Sequence, residues 1–108
     1  MSERTIYWEG QAGNTYKYWI YPLGTTFDAA PGNYIFAKET EPRRFWPIYI
    51  GQTENLAESF EDHHKKECVK NNGATHIHAH KSTNNEAIRK AEESDLIRKW
   101  KPLCNDLS

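Results

Sequence analysis

The chain has 108 residues and a formal net charge of −1 at pH 7, and 37% of its residues are hydrophobic and 13% aromatic. A chain of this length can bury one core of its own, and much of that core must come from Trp, Tyr and Phe side chains. The near-neutral charge counts against a strong, free-standing nucleic-acid binder, because neutralisation of phosphates supplies most of the affinity in such proteins.

Membrane and secretory segments are not expected. No apolar run approaches the roughly 18–20 residues of a membrane helix, and the N-terminal residues lack the pattern of a secretory signal. We therefore expect a cytoplasmic protein that contacts no membrane. Cys68 and Cys104 are far apart in the chain and match no metal-binding or redox spacing. Two reduced thiols are the simplest expectation for a cytoplasmic protein.

The first half of the chain predicts four β-strands in two hairpins. Residues 5–9 and 15–21 are rich in aromatic and β-branched side chains and flank a glycine-containing turn. Residues 33–38 and 45–52 form the second pair, around a polar and charged turn. Pro47 near the start of the fourth strand indicates an edge strand or a bulge, because proline cannot donate to the ladder of a sheet.

The second half predicts a helix, a strand and a helix. Asn55 opens a capping pattern, and the helix that follows is expected to end before Gly73. Residues 74–81 alternate as a strand does, and a second capping pattern at 83–86 opens a helix that runs to about Trp100. The order β-β-β-β-α-β-α predicts a small single α+β domain, mainly an antiparallel sheet flanked by helices, with an extra N-terminal β-hairpin.

Glu93 is a candidate site residue on chemical grounds. It lies three, four and seven residues before Leu96, Ile97 and Trp100, so it projects from the apolar face of the last helix. A carboxylate on such a face is costly unless it is paired or holds a metal ion. An ion pair with Arg89, one turn earlier, and a bound metal ion both meet this requirement, and the helix alone does not decide between them.

Alternating histidines occupy the last predicted strand. His76, His78 and His80 share one face, whereas Ile77 and Ala79 on the other face form the expected buried side. Because His-x-His is a zinc-binding spacing, the imidazoles are candidates for a metal site. Exposure to solvent, or lining of a substrate groove with contacts to phosphate, are the alternatives.

Several short motifs follow one another in order between residues 31 and 105. They are Gly32-Asn33-Tyr34, Tyr49-Ile50-Gly51-Gln52-Thr53, Asn55-Leu56 with Phe60 and His63, Glu93, Leu96-Ile97, Lys101-Pro102 and Asn105. Each motif is weak by itself, but in this order and spacing they resemble the GIY-YIG nuclease superfamily. The resemblance covers residues 31–105 as a core and leaves residues 1–30 as an N-terminal hairpin extension.

The resemblance implies metal-dependent hydrolysis of nucleic-acid phosphodiesters. Tyr34 and Tyr49 would be the two phenols beside the scissile phosphate, one of them acting on the attacking water. Glu93 would hold one divalent ion, Mg²⁺ or Mn²⁺, since these ions prefer hard oxygen ligands. His63 would orient reactants or transfer a proton, and Asn105 would brace the metal side of the site. Without the resemblance, the tyrosines and His63 would be ordinary packing residues.

Other implied features concern the substrate. Gly51 would allow close approach of the backbone at the end of its strand. The family's phosphate-clamping Arg is replaced by Ser59, whose hydroxyl cannot supply the bidentate, permanently charged donors of a guanidinium. Arg89, or Arg43 and Arg44, are candidate replacements. The expected partner is DNA or another nucleic acid, bound weakly by the chain alone, with a homodimer or a partner protein as further options.

Three hypotheses follow. The chain is an endonuclease weakened by the missing Arg, or a nuclease-derived domain that has lost catalysis and binds nucleic acid or a protein partner, or a metal-binding protein that uses the histidine strand and only shares the fold. Ser59 favours the second hypothesis. The first is favoured by the retained residues, which are Tyr34, Tyr49, His63, Glu93 and Asn105.

Overall fold

A five-stranded antiparallel sheet forms the centre of the computed structural model, which describes residues 4–58, 60, 64–82 and 85–105. Its strand order is β1-β2-β5-β3-β4, so the last strand of the chain lies between the two hairpins. Every neighbouring pair is antiparallel. The strands are β1 (Thr5–Glu9), β2 (Thr15–Pro22), β3 (Gly32–Glu41), β4 (Arg44–Thr53) and β5 (His76–Lys81).

Two helices, α1 (Lys66–Asn71) and α2 (Glu86–Trp100), and a short 3-10 helix, Leu103–Asn105, complete the described fold. The Asn85 side chain caps α2 by accepting a hydrogen bond from the backbone N–H of Ile88 at 3.0 Å. The predicted α+β class and the element order are confirmed. No helix in the described ranges is long and apolar enough to cross a membrane.

The first helix is shorter than the sequence predicts. The Asn55 side chain does accept a hydrogen bond, from the backbone N–H of Ala57 at 2.9 Å, but it closes a turn instead of opening a helix. The backbone N–H of Leu56 bonds to the carbonyl of Ala30, which anchors this turn to the preceding loop. A side chain that satisfies the backbone locally competes with helix formation, and α1 begins only at Lys66.

The sheet buries side chains on both of its faces, because successive residues of a strand point in opposite directions. On one face, which we call the phenol face, the buried side chains are Tyr34, Phe36, Ile48, Tyr49, Leu56, Val69, Ile77, Ala79 and Cys104. On the other face, which we call the α2 face, they are Trp8, Tyr18, Ile35, Ala37, Ile50 and Leu96.

Pro47 lies beside a bulge in the edge strand β4, as predicted. Phe36 pairs with Tyr49 and the next residue, Ala37, pairs with Pro47, so Ile48 is the extra residue on β4. The extra residue of the bulge therefore directly precedes Tyr49.

The expectation of two reduced thiols is wrong. Cys68 of α1 and Cys104 of the 3-10 helix form a disulfide with their Cα atoms 5.9 Å apart. The two cysteines are separated by 36 residues in the chain. Their spacing gives no sign of the bond, because only the return of the C-terminal segment to α1 brings them together.

The N-terminal hairpin extends the sheet, because β2 pairs with β5 from Trp19 opposite Ala79 to Pro22 opposite His76. Trp8 of β1 is only 3% exposed and packs on the α2 face. The hairpin is therefore built into the core of the sheet. The division of the chain at residue 31 stays a prediction of the sequence.

Trp8→Ala is expected to lower the free energy of unfolding by about 3–5 kcal/mol, because it empties a large buried site. Tyr7→Ala, one residue earlier on the exposed side of β1, should change it by no more than about 0.5 kcal/mol. Urea denaturation followed by circular dichroism measures both. Equal midpoints for the two variants would show that the hairpin is not part of the cooperative unit.

Candidate active site

Tyr34 and Tyr49 lie on paired strands with both phenols on one face of the sheet. Tyr34 is opposite Gly51 in the β3–β4 pair, and Tyr49 is two residues from Gly51 on the same strand. The ring centroids are 6.1 Å apart. The antiparallel pairing expected from the sequence thus brings the two tyrosines together.

Gly51 provides the space for this arrangement. A Cβ atom at residue 51 would lie 2.6 Å from Cζ and 2.7 Å from the hydroxyl oxygen of Tyr34, and 2.9 Å from Cε2 of Tyr49. Real Cβ atoms do not approach other atoms so closely, so a side chain here would displace a phenol. The sequence predicts close approach of the backbone at Gly51, and the close neighbours observed are the Tyr34 and Tyr49 side chains.

Glu93 reaches the same end of β4 from helix α2. The backbone N–H of Gln52 donates a hydrogen bond to its carboxylate. Burial raises the pKa of Glu93, while this hydrogen bond and the charge of Lys90 act in the opposite direction. The charge of Glu93 also contributes to the raised pKa values of Tyr34 and Tyr49. The carboxylate and both phenols are therefore within electrostatic range of one another.

The two phenols differ in acidity. Burial is the main cause that raises the pKa of both hydroxyl groups above the usual range of tyrosine. A hydrogen bond between them raises the pKa of Tyr34 and lowers that of Tyr49. The interaction between the two phenols therefore acts in opposite directions on their pKa values.

Arg89 is buried on α2 and is joined to the same strand end. It is 4% exposed, and its Nε donates to the side-chain oxygen of Gln52 at 3.2 Å. The ion pairs among the described residues do not include one between Arg89 and Glu93. The ion-pair alternative for Glu93 is thus not observed, and Gln52 connects the two side chains instead.

Arg43 and Arg44 lie at the opposite end of the hairpin. Arg44 pairs with Glu41 next to the β3–β4 turn, seven residues before Gly51 on the same strand. At about 3.3 Å per residue this places Arg44 roughly 23 Å from Gly51. Neither arginine can contact a phosphate held by the tyrosines, so Arg89 is left as the candidate clamp.

Asn105 holds β4 in place from its free edge. Its side-chain oxygen accepts from the backbone N–H of Ile50 at 2.7 Å, and its amide nitrogen donates to the carbonyl of Ile50 at 2.9 Å. Asn105 therefore contacts the strand as a neighbouring strand would, directly before Gly51. It is placed to position the site through the backbone.

Two residues of this end of the sheet were missing from the predicted site. Gln52 contacts both Glu93 and Arg89, and Asn33 is fully buried with its amide nitrogen 3.0 Å from the carbonyl oxygen of Arg89. Both belong to the two signature motifs, which is the signal that could have identified them. Two other predicted positions, His63 and Ser59, lie outside the described residues.

The central histidine of the strand, His78, faces neither solvent nor the tyrosines. His78 is fully buried on the opposite side of the sheet, where its Nδ1 accepts from Nε1 of Trp8 at 3.0 Å. Burial lowers the pKa of His78 to about 3, so its imidazole is neutral. His76 packs edge-on against Phe45 on that side. For His78 the solvent-exposed alternative is wrong because β1 and α2 cover this face as well, whereas His76 and His80 are only partly buried.

His80 has a structural partner of its own. Its Nε2 lies 2.7 Å from a carboxylate oxygen of Glu92, which also accepts from the Tyr18 hydroxyl at 2.6 Å. Within the described ranges no group of three or more His, Cys, Asp or Glu side chains is placed to hold a metal ion. The structure therefore offers the histidine-strand hypothesis no metal site in these ranges.

Comparison with known proteins gives a structural match. No protein-family model matches the chain, and no curated protein does. Two solved structures of the GIY-YIG N-terminal endonuclease domain of UvrC from Thermotoga maritima are similar, with TM-scores of 0.56 and sequence identities of 25% and 28%. Each covers 73% of this chain and 86% of the domain. Both are tyrosine-to-phenylalanine point mutants bound to the catalytic divalent cation.

These neighbours support the resemblance of the motifs to the GIY-YIG superfamily. The curled antiparallel sheet with two helices is the GIY-YIG α+β fold, as the sequence predicted.

Gly51→Ala is expected to lower the free energy of unfolding by about 1–3 kcal/mol, because the new methyl group collides with the Tyr34 ring. The same substitution should be less costly in a Tyr34→Ala background, where the ring is absent. A double-mutant cycle by urea denaturation measures this coupling. Additive effects of the two substitutions would mean that the cost of Gly51→Ala does not come from a collision with the Tyr34 ring.

Proposed function

We propose that the chain is a metal-dependent endonuclease domain of the GIY-YIG type that hydrolyses nucleic-acid phosphodiesters slowly. The observation that supports it is the packing of Tyr34 and Tyr49 over Gly51, with Glu93 hydrogen-bonded to the backbone of the next residue, Gln52. Two hydroxyl groups and one carboxylate on rigid elements can place a phosphate, a water molecule and an ion against one another.

The phenols have separable roles in this proposal. Tyr34 holds the Tyr49 hydroxyl in a fixed direction, and Tyr49 orients the attacking water and accepts its proton. The high pKa values keep both hydroxyl groups protonated at neutral pH in the chain by itself. Positive charge brought to the site therefore increases the fraction of Tyr49 that can act as a base.

Glu93 suits a Mg²⁺ or Mn²⁺ ion. Such ions are commonly bound by one or two carboxylates, with water and substrate phosphate in the remaining positions. Glu93 is a half-buried carboxylate whose charged form the Gln52 N–H stabilises, so it has the donor chemistry that one such ion requires. A bound ion supplies stabilisation of the charge that develops on the phosphate and the leaving oxygen.

The rate is expected to be low because Ser59 stands where the family has its Arg. Arg89 brings a buried positive charge to the strand end, but its Nε is bonded to Gln52. Losing a preorganised donor to the transition state typically lowers a rate by two or three orders of magnitude. A substitute clamp from Arg89 would recover part of this loss.

Binding is expected to be weak for the same electrostatic reason. With a net charge of −1, the chain lacks the excess of basic residues that holds a phosphate backbone. A second copy of the chain or a partner protein would supply further contacts to DNA or another nucleic acid. A cytoplasmic location stays a prediction of the sequence, and the Cys68–Cys104 disulfide counts against it because such bonds are typical of oxidising compartments.

The second candidate function is a nuclease-derived domain that binds nucleic acid or a protein without cutting. The replacement of the Arg by Ser59 favours it. The two candidates share the fold and differ in turnover, so activity of defined variants separates them.

Glu93→Gln is expected to stabilise the protein at pH 8. Because the pKa of Glu93 is raised in the folded state, the folded protein binds more protons than the unfolded chain above the usual pKa of glutamate. Stability therefore falls as the pH rises through that interval, and the neutral Gln side chain avoids this loss. The advantage should disappear below about pH 4, where both states are protonated.

Denaturant midpoints at pH 4 and pH 8 measure this effect, with Glu86→Gln in the exposed first turn of α2 as the control. Mg²⁺ or Mn²⁺ should raise the melting temperature of the natural chain and of the control, but not that of Glu93→Gln. An equal shift in all three would place the ion elsewhere.

Cleavage is tested with supercoiled plasmid in Mg²⁺ and in Mn²⁺. Tyr49→Phe and Glu93→Gln should each reduce nicking by at least about 100-fold, whereas Tyr7→Phe, a change at an exposed phenol, should leave it unchanged. Nicking that survives Glu93→Gln at the natural rate would overturn the assignment of the site.

Ser59→Arg separates the two candidate functions. It should raise nicking by at least about tenfold, equivalent to roughly 1.4 kcal/mol in the barrier, since it restores the clamp of the family. If neither the natural chain nor this variant cuts, and fluorescence anisotropy detects binding to the same oligonucleotide, the binding module replaces the nuclease.

A further inference from the structure

Helix α2 brings Glu93 to the candidate site, and two other carboxylates of this helix are bonded to the N-terminal hairpin β1–β2. Glu92 directly precedes Glu93, and Asp95 follows it by two residues. At about 100° per residue, Asp95 and Glu92 lie roughly 60° apart around the helix, and Glu93 lies roughly 100° further round from Glu92. One side of α2 is therefore bonded to the hairpin, and a different side presents Glu93 to β4.

Glu92 is held by two strands. The hydroxyl group of Tyr18 on β2 donates to Oε2 of Glu92 at 2.6 Å, and Nε2 of His80 on β5 lies 2.7 Å from the same oxygen. The Tyr18 and His80 rings meet edge to face with their centroids 4.7 Å apart, and Tyr18 is fully buried. Because short hydrogen bonds to a carboxylate are strong, these contacts fix the helical turn that contains Glu93.

Asp95 is held by the turn of the hairpin. Its Oδ1 accepts from the backbone N–H of Ala12 at 2.9 Å, and its Oδ2 accepts from the Tyr16 hydroxyl at 2.8 Å. Its backbone carbonyl accepts from the N–H of Gln11 at 3.1 Å. A Cβ atom at residue 10 would collide with the Asp95 carboxylate, so Gly10 lets the turn come this close. The hairpin thus holds α2 at a second point.

Two backbone amides on the free edge of β4 report on the helix and on the strand separately. The N–H of Ile50 donates to the side chain of Asn105 at 2.7 Å, so it points away from β3. Residues two apart on a strand direct their amides the same way, and the N–H of Gln52 donates to Glu93. The Gln52 bond depends on where α2 holds Glu93, whereas the Ile50 bond involves no residue of α2.

We propose that Tyr16 and Tyr18 are positioning residues, through which the N-terminal hairpin sets the rotation of α2 so that Glu93 meets the Gln52 N–H and binds its ion there. A side chain that ends about 5–6 Å from a helix axis moves by about 2 Å when the helix rotates by about 20°. Such a displacement breaks a hydrogen bond. The role in ion binding rests on the proposed function, whereas the hold of the hairpin on Glu93 does not.

Amide hydrogen exchange followed by NMR tests the positioning without metal or substrate. Tyr16→Phe combined with Tyr18→Phe removes both hydroxyl donors and leaves the charges of α2 unchanged. The Gln52 N–H should then exchange at least about fivefold faster than in the natural chain, while the Ile50 N–H stays within about twofold of its natural rate. Tyr7→Phe, at an exposed phenol of β1, is the control and should change neither rate.

Equal acceleration at Gln52 and Ile50 would mean a general loosening of β4 and would overturn the proposal, as would an unchanged rate at Gln52. Circular dichroism confirms that the double variant is folded. If it is not folded, Tyr18→Phe alone, which removes one hydroxyl group, is measured against the same criteria.

Mn²⁺ binding measured by isothermal titration calorimetry tests the consequence for the ion. The double variant should bind Mn²⁺ at least about fivefold more weakly than the natural chain, because its Glu93 carboxylate is less well placed. An unchanged dissociation constant, with binding lost in Glu93→Gln, would overturn the role of the hairpin in ion binding. If the natural chain binds no Mn²⁺ while exchange at Gln52 responds as expected, the proposed ion site fails and the hold of the hairpin on Glu93 stands.

Discussion

The Tyr34 phenol occupies the space that any side chain at residue 51 would need, and the candidate site depends on this exclusion. The β3–β4 register sets Tyr34 opposite Gly51 and brings Tyr49 to the same face. The next residue, Gln52, turns its backbone N–H to Glu93. Gly51 leaves space for the two phenols, and the next residue, Gln52, donates to the Glu93 carboxylate. A shift in the register of β4 would therefore disrupt both arrangements.

Because β4 is an edge strand, its position must be secured from outside the sheet. The Asn105 side chain makes two hydrogen bonds to the Ile50 backbone, and each such bond contributes about 1 kcal/mol. The neighbouring residue Cys104 is bonded to Cys68 of α1, which limits how far the C-terminal segment can move. The hydrogen bonds of Asn105 to β4 and the Cys68–Cys104 disulfide therefore both involve the short 3-10 helix Leu103–Asn105.

The α2 face buries ionisable groups, and this has consequences for stability. His78 stays neutral because burial lowers its pKa and Trp8 donates to its Nδ1. Glu93 and Arg89 instead share Gln52 as a hydrogen-bonding partner at the edge of the buried region. Keeping a partly buried carboxylate opposes folding, a cost that a hydrocarbon side chain at this position would not have.

The sequence by itself determined the order and type of the elements, the short motifs that contain both tyrosines, and the face of α2 from which Glu93 projects. These follow from strand alternation and helical spacing, which are local properties of the chain. Only the tertiary structure decided that His78 is buried beneath Trp8, that Cys68 joins Cys104, and that the helix after β4 starts late. Such outcomes depend on contacts between residues far apart in the chain, whose free energies no local pattern encodes.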